Sequence, residues 1–253
     1  MDADEVRRQL TTPLGAPAYP PGGPYRFTDR EYLNITYRTD ADALRKVVPE
    51  PLVVTEPLVR FEVMRMPDVT GLGSFLECGQ VIRVEHEGEP ADYLHCMYVD
   101  SLASIASGRE ISAFPKKLGA PAMFVEAETL VGTLDYGSLR VATATMGYKH
   151  HELSEAEARA EIGAPTFGLK LLPGYDRTPR ICELVRSQIT TMTIKGAWRG
   201  PARLQLFEHV NAPLADLPVR EVVDATHLLV DLVLGRPTLV HDYLAPTDLK
   251  GRS

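Results

Sequence analysis

Cysteine, lysine and long apolar runs are all scarce in this sequence of 253 residues. Its 3 cysteines, Cys78, Cys96 and Cys182, are odd in number and widely separated, which matches neither a disulfide framework nor a CxxC metal or redox pair. Charge interrupts each apolar stretch well short of the roughly 18 to 20 residues that cross a bilayer. The chain opens with acidic residues, whereas a secretory signal starts with basic ones. We therefore expect a cytoplasmic protein with no membrane partner.

An excess of basic residues is also missing. Lys+Arg number 27 against 34 Asp+Glu, so the net charge is −7, and the basic residues are spread along the chain. Nucleic acid is not an expected partner, because binding to phosphates needs clustered positive charge. The hydrophobic fraction of 44% and the charged fraction of 24% are typical of folded domains. Since composition does not shift along the chain, we expect one domain over residues 1–253, in which 1–25 form a helix and a proline-rich arm.

Common catalytic and cofactor motifs are absent as well. The sequence contains no HExxH, no paired CxxC, no GxSxG and no P-loop, and Gly71-Leu72-Gly73 lacks the third glycine of a dinucleotide fingerprint. Zinc, serine-hydrolase, phosphate-binding and dinucleotide sites therefore lose their main support. We expect no bound metal and no cofactor.

Strand-like segments recur at short spacing and helical ones are few. Helices are expected at 2–10, from 40 to before Pro49, and at 154–163, where Ser154 and Glu157 form a capping box. The expected strands are 27–37, 58–66, 75–84, 93–99, 123–128, 130–134, 138–146, 181–194, 203–207 and 221–234. Without an alternating βα rhythm, this pattern predicts a mainly β (α+β) fold, an antiparallel β-barrel or curved sheet with a few peripheral helices.

Two short patterns carry candidate chemistry. In the strand 58–66, side chains alternate, so Arg60, Glu62 and Met64 share one face and apolar residues occupy the other. Further on, FPKKLG places Lys116 beside Lys117 in an apolar stretch. On residue statistics alone, these two lysines are solvated surface charges, because lysine is rarely buried without a partner.

The chain resembles the acetoacetate decarboxylase family almost end to end. The resemblance is carried by long motifs, among them PYRF, REYLNITYRTDADALRKVVPEPL, EPLVRFEVM, GLGSFLECGQ, DYLHCMYVD, GREISAFPKKLG, TLVGTLDYGSLRVATATMGYKH and GPARLQLFEH. It implies an enzyme that needs neither metal nor cofactor and converts acetoacetate to acetone and carbon dioxide through a lysine Schiff base. It also implies a large homo-oligomer, to which the proline-rich arm would be suited.

The resemblance also implies catalytic residues. Lys116, the first lysine of PKK, is the implied nucleophile, and Lys117 is the second lysine of the motif. Arg30 matches the family's arginine in the PYRF…RE segment, while Glu62 in RFEVM and Glu77 in LECGQ match its two acidic pocket residues.

Two further residues are candidates for substrate binding. Phe114 stands where the family pattern has tyrosine before the proline, so a possible hydroxyl contact is missing. Met97, in the strand 93–99, is either a core residue or part of an apolar pocket wall.

The implied chemistry sets requirements on the lysine. A protonated imine accepts the electrons left by carbon dioxide better than a carbonyl does, and only an unprotonated amine forms it. The ordinary lysine pKa is about 10.4, so a reactive lysine needs a pKa roughly 3 to 4 pH units lower, through burial or a nearby cation. If the segment after Pro115 is extended, Lys117 points away from Lys116, and burial is the larger effect.

Several roles remain open for the charged candidates. Arg30 could hold the substrate carboxylate through two parallel hydrogen bonds, or be a surface arginine beside Glu31. Glu62 and Glu77 could position that carboxylate, repel it or relay a proton. Each could instead pair with a basic neighbour, such as Arg60 or Arg83.

Two other functions remain alternatives. One is another Schiff-base enzyme on the same scaffold, an aldolase or dehydratase acting on a larger keto acid. The other is a barrel that only binds a small apolar ligand. For the decarboxylase, the expected partner is a small β-keto acid.

Overall fold

The computed structural model describes residues 1–20 and 23–246. Within these residues the helices are α1 (Ala3–Arg7), α2 (Ala41–Arg45), α3 (Leu102–Glu110) and α4 (Glu155–Ile162), with a 3-10 helix at Leu214–Asp216. The strands are β1 (Tyr25–Arg38), β2 (Leu58–Val69), β3 (Gly73–His86), β4 (Glu89–Val99), β5 (Lys116–Leu118), β6 (Ala120–Glu126), β7 (Thr129–Tyr136), β8 (Leu139–Gly147), β9 (His151–Glu152), β10 (Thr166–Pro173), β11 (Pro179–Ser187), β12 (Ile189–Arg199), β13 (Ala202–Leu206), β14 (Glu221–Leu234) and β15 (Thr238–Asp242).

The strands form two sheets in the described part of the chain. The larger is 11-stranded in the order β15-β11-β10-β4-β3-β2-β1-β14-β12-β9, with β5 paired to β4, and the smaller has the order β13-β8-β7-β6. The predicted mainly β fold is confirmed, as curved sheets that stay open. Pairing is not antiparallel throughout, because β5 runs parallel to β4 and β10 also meets β4 in parallel. The β4–β5 pair needs a crossover connection, which α3 provides.

The hydrophobic core lies between the two sheets. Leu33, Phe61 and Val63 of the larger sheet belong to the same buried cluster as Leu134 and Val141 of the smaller one. Because strand side chains alternate, the residues between these core positions on β1 and β2 face the other side of the larger sheet. The predicted alternation in β2 is therefore confirmed, and it directs Arg60, Glu62 and Met64 away from this core.

A second buried cluster lies on that opposite side of the larger sheet. It joins Tyr32, Met64 and Phe75 to Ala158 and Ile162 of α4. Helix α4 begins at the predicted capping box, in which the Ser154 hydroxyl accepts from the Glu157 backbone N–H and the Glu157 carboxylate accepts from that of Ser154. The helix thereby covers one edge of a pocket.

Some predicted elements differ from the structure. The segment 181–194 is not one strand, because Gln188 separates β11 from β12, which pair with different neighbours in the sheet. The unpredicted elements are helix α3, strands β5, β9, β10 and β15, and the 3-10 helix. The first helix is shorter than 2–10. In the predicted arm, Tyr19 is buried against Glu110 of the same chain, whereas Pro21 lies outside the described residues.

Candidate active site

Strand register aligns several of the candidate residues in one row. Glu62 on β2 pairs with Gly79 on β3, Gly79 with Met97 on β4, and Met97 with Lys116 on β5. Residues directly opposite in a ladder share a face, so the row crosses four strands on the pocket side. A Cβ on Gly79 would lie 2.4 Å from the Cys96 carbonyl oxygen, so glycine permits the close approach of β3 and β4 there.

Lys116 is buried and its amine has two polar contacts. Only 6% of the residue is exposed. Its Nζ lies 2.8 Å from Glu77 Oε2 and donates to Ser104 Oγ at 2.8 Å. The rings of Phe75 and Phe114 have their centroids 5.2 and 5.4 Å from Nζ. The amine therefore sits among aromatic rings and next to one carboxylate. The basic neighbour of Glu77, which the sequence left open, is thus Lys116.

Glu62 is held by a buried arginine. Arg60 Nε donates to Glu62 Oε1 at 2.7 Å, and another guanidinium nitrogen of Arg60 donates to Asp92 Oδ2 at 2.8 Å. All three side chains are buried. Burial disfavours the charged guanidinium, but the carboxylates of Asp92 and Glu62 outweigh it and hold the pKa of Arg60 well above its ordinary value. Glu62 thus pairs with Arg60, as one of the alternatives from the sequence proposed. This ion pair fixes the position of Glu62 in the pocket.

Arg30 lines the same pocket and is not an ordinary surface arginine. Its guanidinium carbon lies 4.8 Å from the Phe27 ring centroid and 4.6 Å from that of Tyr32, and one terminal nitrogen is 2.8 Å from Met64 Sδ. Its Nε is buried with no hydrogen-bond partner in the described residues. Glu31, by contrast, hydrogen-bonds His227 on the other face of the sheet. Arg30 therefore keeps donors free for a carboxylate.

The structure does not bring Lys117 into the pocket. Strand β5 is extended, which meets the condition set in the sequence analysis, so Lys117 points to the opposite side from Lys116. Its Nζ donates to the Asn211 carbonyl at 2.6 Å and lies 5.2 Å from the Tyr136 ring centroid. Lys117 anchors the strand to a surface loop.

The pocket itself is a cavity of about 80 Å³ with mainly apolar walls. Met97 and Phe114 both line it, together with Val81 and Leu94, with which they form a small buried cluster. The polar groups on its walls are Arg30, Tyr32, Arg60, Glu62, Glu77, Lys116, Thr166 and Ser187.

Three residues at the site were missed by sequence reasoning. Burial raises the pKa of Tyr32 to about 12, which keeps its hydroxyl neutral. Alternation along β1 from Arg30 could have placed Tyr32 in the pocket. Ser104 lies on the unpredicted helix α3, and Phe75 lies at the start of a predicted strand with no polar pattern to mark it. No signal in the sequence pointed to these two.

Comparison with known proteins gives the family. Residues 10–244 match the acetoacetate decarboxylase family. The chain belongs to this family. An acetoacetate decarboxylase of Streptomyces nogalater is 66% identical over 245 residues, which is 97% of this chain and 100% of that protein. The resemblance inferred from the motifs is therefore confirmed.

Solved structures agree with this assignment. One described as "Structural Studies of Acetoacetate Decarboxylase" is 59% identical, with a TM-score of 0.93, and the match covers 96% of this chain and 100% of that one. An acetoacetate decarboxylase of Legionella pneumophila is 42% identical, with a TM-score of 0.91, over 97% of this chain and 98% of that one.

Metal-holding clusters and membrane-spanning helices are both absent from the described residues. Among residues 1–20 and 23–246, no group of three or more His, Cys, Asp and Glu side chains is placed to hold a metal ion. In the same residues, no helix combines the length and apolar character needed to cross a membrane. What the site offers is a buried primary amine, two carboxylates and two arginines around a small apolar space.

Proposed function

We propose that this protein decarboxylates acetoacetate to acetone and carbon dioxide through an imine between the substrate and Lys116. The observation that carries the proposal is the buried amine of Lys116, 2.8 Å from Glu77 Oε2, on the wall of an apolar cavity that Arg30 also lines. An identity of 66% to a named acetoacetate decarboxylase over nearly the whole chain supports the same reaction.

The substrate carboxylate binds Arg30 in this proposal. The guanidinium lies over the rings of Phe27 and Tyr32, so it is held in place, while its Nε has no hydrogen-bond partner among the described residues. A planar guanidinium forms two parallel hydrogen bonds to a carboxylate, and these fix the orientation of a short ligand. The methyl ketone then lies against the apolar wall of Val81, Leu94 and Met97.

The neutral amine attacks the ketone carbon, and the resulting carbinolamine takes up a proton and loses water to form the protonated imine. The bond to the carboxylate then breaks, carbon dioxide leaves, and the electron pair moves into the imine to give an enamine. A proton adds to the terminal carbon, and water hydrolyses the new imine to acetone and the free amine. Glu77 is placed to exchange protons with the nitrogen, because its carboxylate contacts Nζ.

Aromatic rings and one carboxylate surround the amine of Lys116, and the second lysine of the motif does not contact it. The Phe75 and Phe114 rings lie beside Nζ, and Lys117 points to the opposite side of β5. Glu77 supplies the carboxylate. The geometry thus supplies burial of the amine and no contact with Lys117.

We also propose that the chain is one domain and that it works as a large cytoplasmic homo-oligomer. The continuous ladder from β1 to β15 within the larger sheet supports the single domain.

Strand β6, at the edge of the smaller sheet, exposes Phe124 and Val125 by 45% and 48%, which favours contact with another copy. Light scattering on the purified protein gives the assembly size, and a monomer at micromolar concentration would contradict the oligomer.

The test of the reaction compares acetoacetate with pyruvate plus an aldehyde. We expect acetone and carbon dioxide in equal amounts from acetoacetate and no condensation product from the second mixture. Lys116→Arg should abolish acetone release, whereas Lys117→Arg, a matched change on the opposite side of β5, should retain most of it. Faster turnover of pyruvate and aldehyde would favour the aldolase alternative, and full activity in Lys116→Arg would refute the mechanism.

A further inference from the structure

We propose that Ser104 and Gly108 of α3 are positioning residues that aim the amine of Lys116 into the cavity. This inference rests on the proposed imine mechanism and concerns how the nucleophile is oriented. Helix α3 is the crossover between β4 and β5, so it lies directly against the strand that carries Lys116.

The helix contacts Lys116 at both its main chain and its side chain. Phe114 donates its backbone N–H to the Gly108 carbonyl at 2.9 Å, and an Arg109 guanidinium nitrogen donates to the Lys116 carbonyl at 3.3 Å. Ser104 and Gly108 are four residues apart and therefore share one helix face. Along this face the lysine side chain passes Gly108 and ends at Ser104.

Gly108 provides the space for the lysine side chain. A Cβ built on it would lie 2.7 Å from Lys116 Cδ and 3.0 Å from Cε. Any larger residue must therefore displace the aliphatic chain that ends in the amine. The helical backbone at this position does not itself require glycine, so the requirement comes from the contact with Lys116.

Ser104 fixes the direction of the nitrogen. The residue is fully buried, and within the described residues the hydrogen-bond partner of its Oγ is Lys116 Nζ, at 2.8 Å. A neutral amine has tetrahedral geometry, with Cε, two hydrogens and a lone pair. Of the two close contacts of Nζ, the one to Ser104 Oγ has hydrogen-bond geometry, whereas Glu77 Oε2, although 2.8 Å away, has no hydrogen-bond partner among the described residues. A hydrogen directed to Ser104 Oγ fixes one direction at the nitrogen, and the negative charge of Glu77 repels the lone pair, so the lone pair turns toward the cavity that Lys116 lines. Ser104 thus supplies the hydrogen bond, and Glu77 the charge, that together aim the lone pair.

Loss of the Ser104 hydroxyl should therefore slow imine formation and leave substrate binding intact. Misplacement of a reacting atom by about 1 Å costs up to about 100-fold in rate. We expect Ser104→Ala to form imine about 10- to 100-fold more slowly than wild type in rapid-quench borohydride trapping with acetoacetate. Butyrate, which has the carboxylate but no ketone, should inhibit wild type and variant with constants within about threefold, because Arg30 and the apolar walls are unchanged.

Ser107→Ala is the matched control. It removes the same atom from another buried position of the same helix, but the Ser107 hydroxyl contacts the Ser104 carbonyl instead of the lysine. Its trapping rate should equal that of wild type. If wild type traps no imine, the proposed function fails; if wild type traps imine and Ser104→Ala does so equally fast, only the positioning role fails.

Gly108→Ala tests the second residue independently of the first. Alanine is the better helix former, which offsets the cost of the close contact, so the melting temperature should change little, whereas imine formation should fall at least about 10-fold because the methyl group displaces Cδ. Normal trapping in this variant would overturn the role of Gly108. Should Ser104→Ala fail to fold, the trapping rate of Gly108→Ala decides whether α3 positions the amine.

Discussion

Arg60 offers the sharpest test of how the pocket is built. Its guanidinium is buried, with only 4% of the side chain exposed, and it binds Glu62 at 2.7 Å and Asp92 at 2.8 Å. Arg60→Met keeps a long side chain of similar packing but removes the cation. Two buried carboxylates then lose their common partner.

The expected cost is large because buried charges need compensation. Removing one partner of a buried ion pair costs about 3–5 kcal/mol in unfolding free energy, mainly from the charge left unpaired. At about 2–4 °C per kcal/mol for a chain of this size, the melting temperature should fall by about 6–20 °C. Decarboxylation should fall as well, because Glu62 loses the group that holds it in the pocket.

Thermal unfolding by circular dichroism at pH 7 measures this effect. Arg220→Met is the control, since Arg220 bonds Asp40 at a similar distance of 2.8 Å but both are well exposed, and it should leave the melting temperature unchanged. An equally small change in Arg60→Met would refute the reasoning.

Three further predictions concern charge and cofactors. In Lys117→Met, the pH dependence of Lys116 acylation should stay close to wild type, because Lys117 faces Asn211; a shift to the behaviour of an exposed lysine would contradict this. Burial raises the pKa of Glu31, but hydrogen bonds from His227 and Arg65 outweigh it and lower the pKa overall. Glu31→Gln should therefore reduce the urea-unfolding free energy at pH 7, with the difference vanishing as the pH falls through that lowered pKa; a constant difference would contradict it. Enzyme treated with a chelator and dialysed should keep full activity, and restoration of lost activity by zinc or pyridoxal phosphate would contradict cofactor independence.

The face of each strand was predictable because alternation is a local property. The β2 pattern alone placed Arg60 and Glu62 together, and the structure joins them by a direct ion pair. The extended segment after Pro115 likewise predicted that the two adjacent lysines point to opposite sides. Both inferences need only the two-residue period of a strand.

Burial of Lys116 was not predictable from its local sequence. Residue statistics favour an exposed lysine. The polar groups that contact its buried amine, Glu77 and Ser104, lie on other elements of the fold. Helix α3 was missed because its small and polar residues give no apolar stripe. The break at Gln188 was missed because strand-forming residues continue across it, and only the pairing of β11 and β12 with different neighbours separates them.

Borohydride reduction in the presence of acetoacetate, followed by peptide mass mapping, tests the central claim most directly. The imine left after carbon dioxide loss should be reduced to an isopropyl group on Nζ of Lys116, with unmodified Lys117 in the same peptide as an internal control. Fragmentation of that peptide distinguishes the two lysines. An isopropyl group on Lys117 or Lys149, or no adduct while acetone is being released, would contradict Lys116 as the nucleophile.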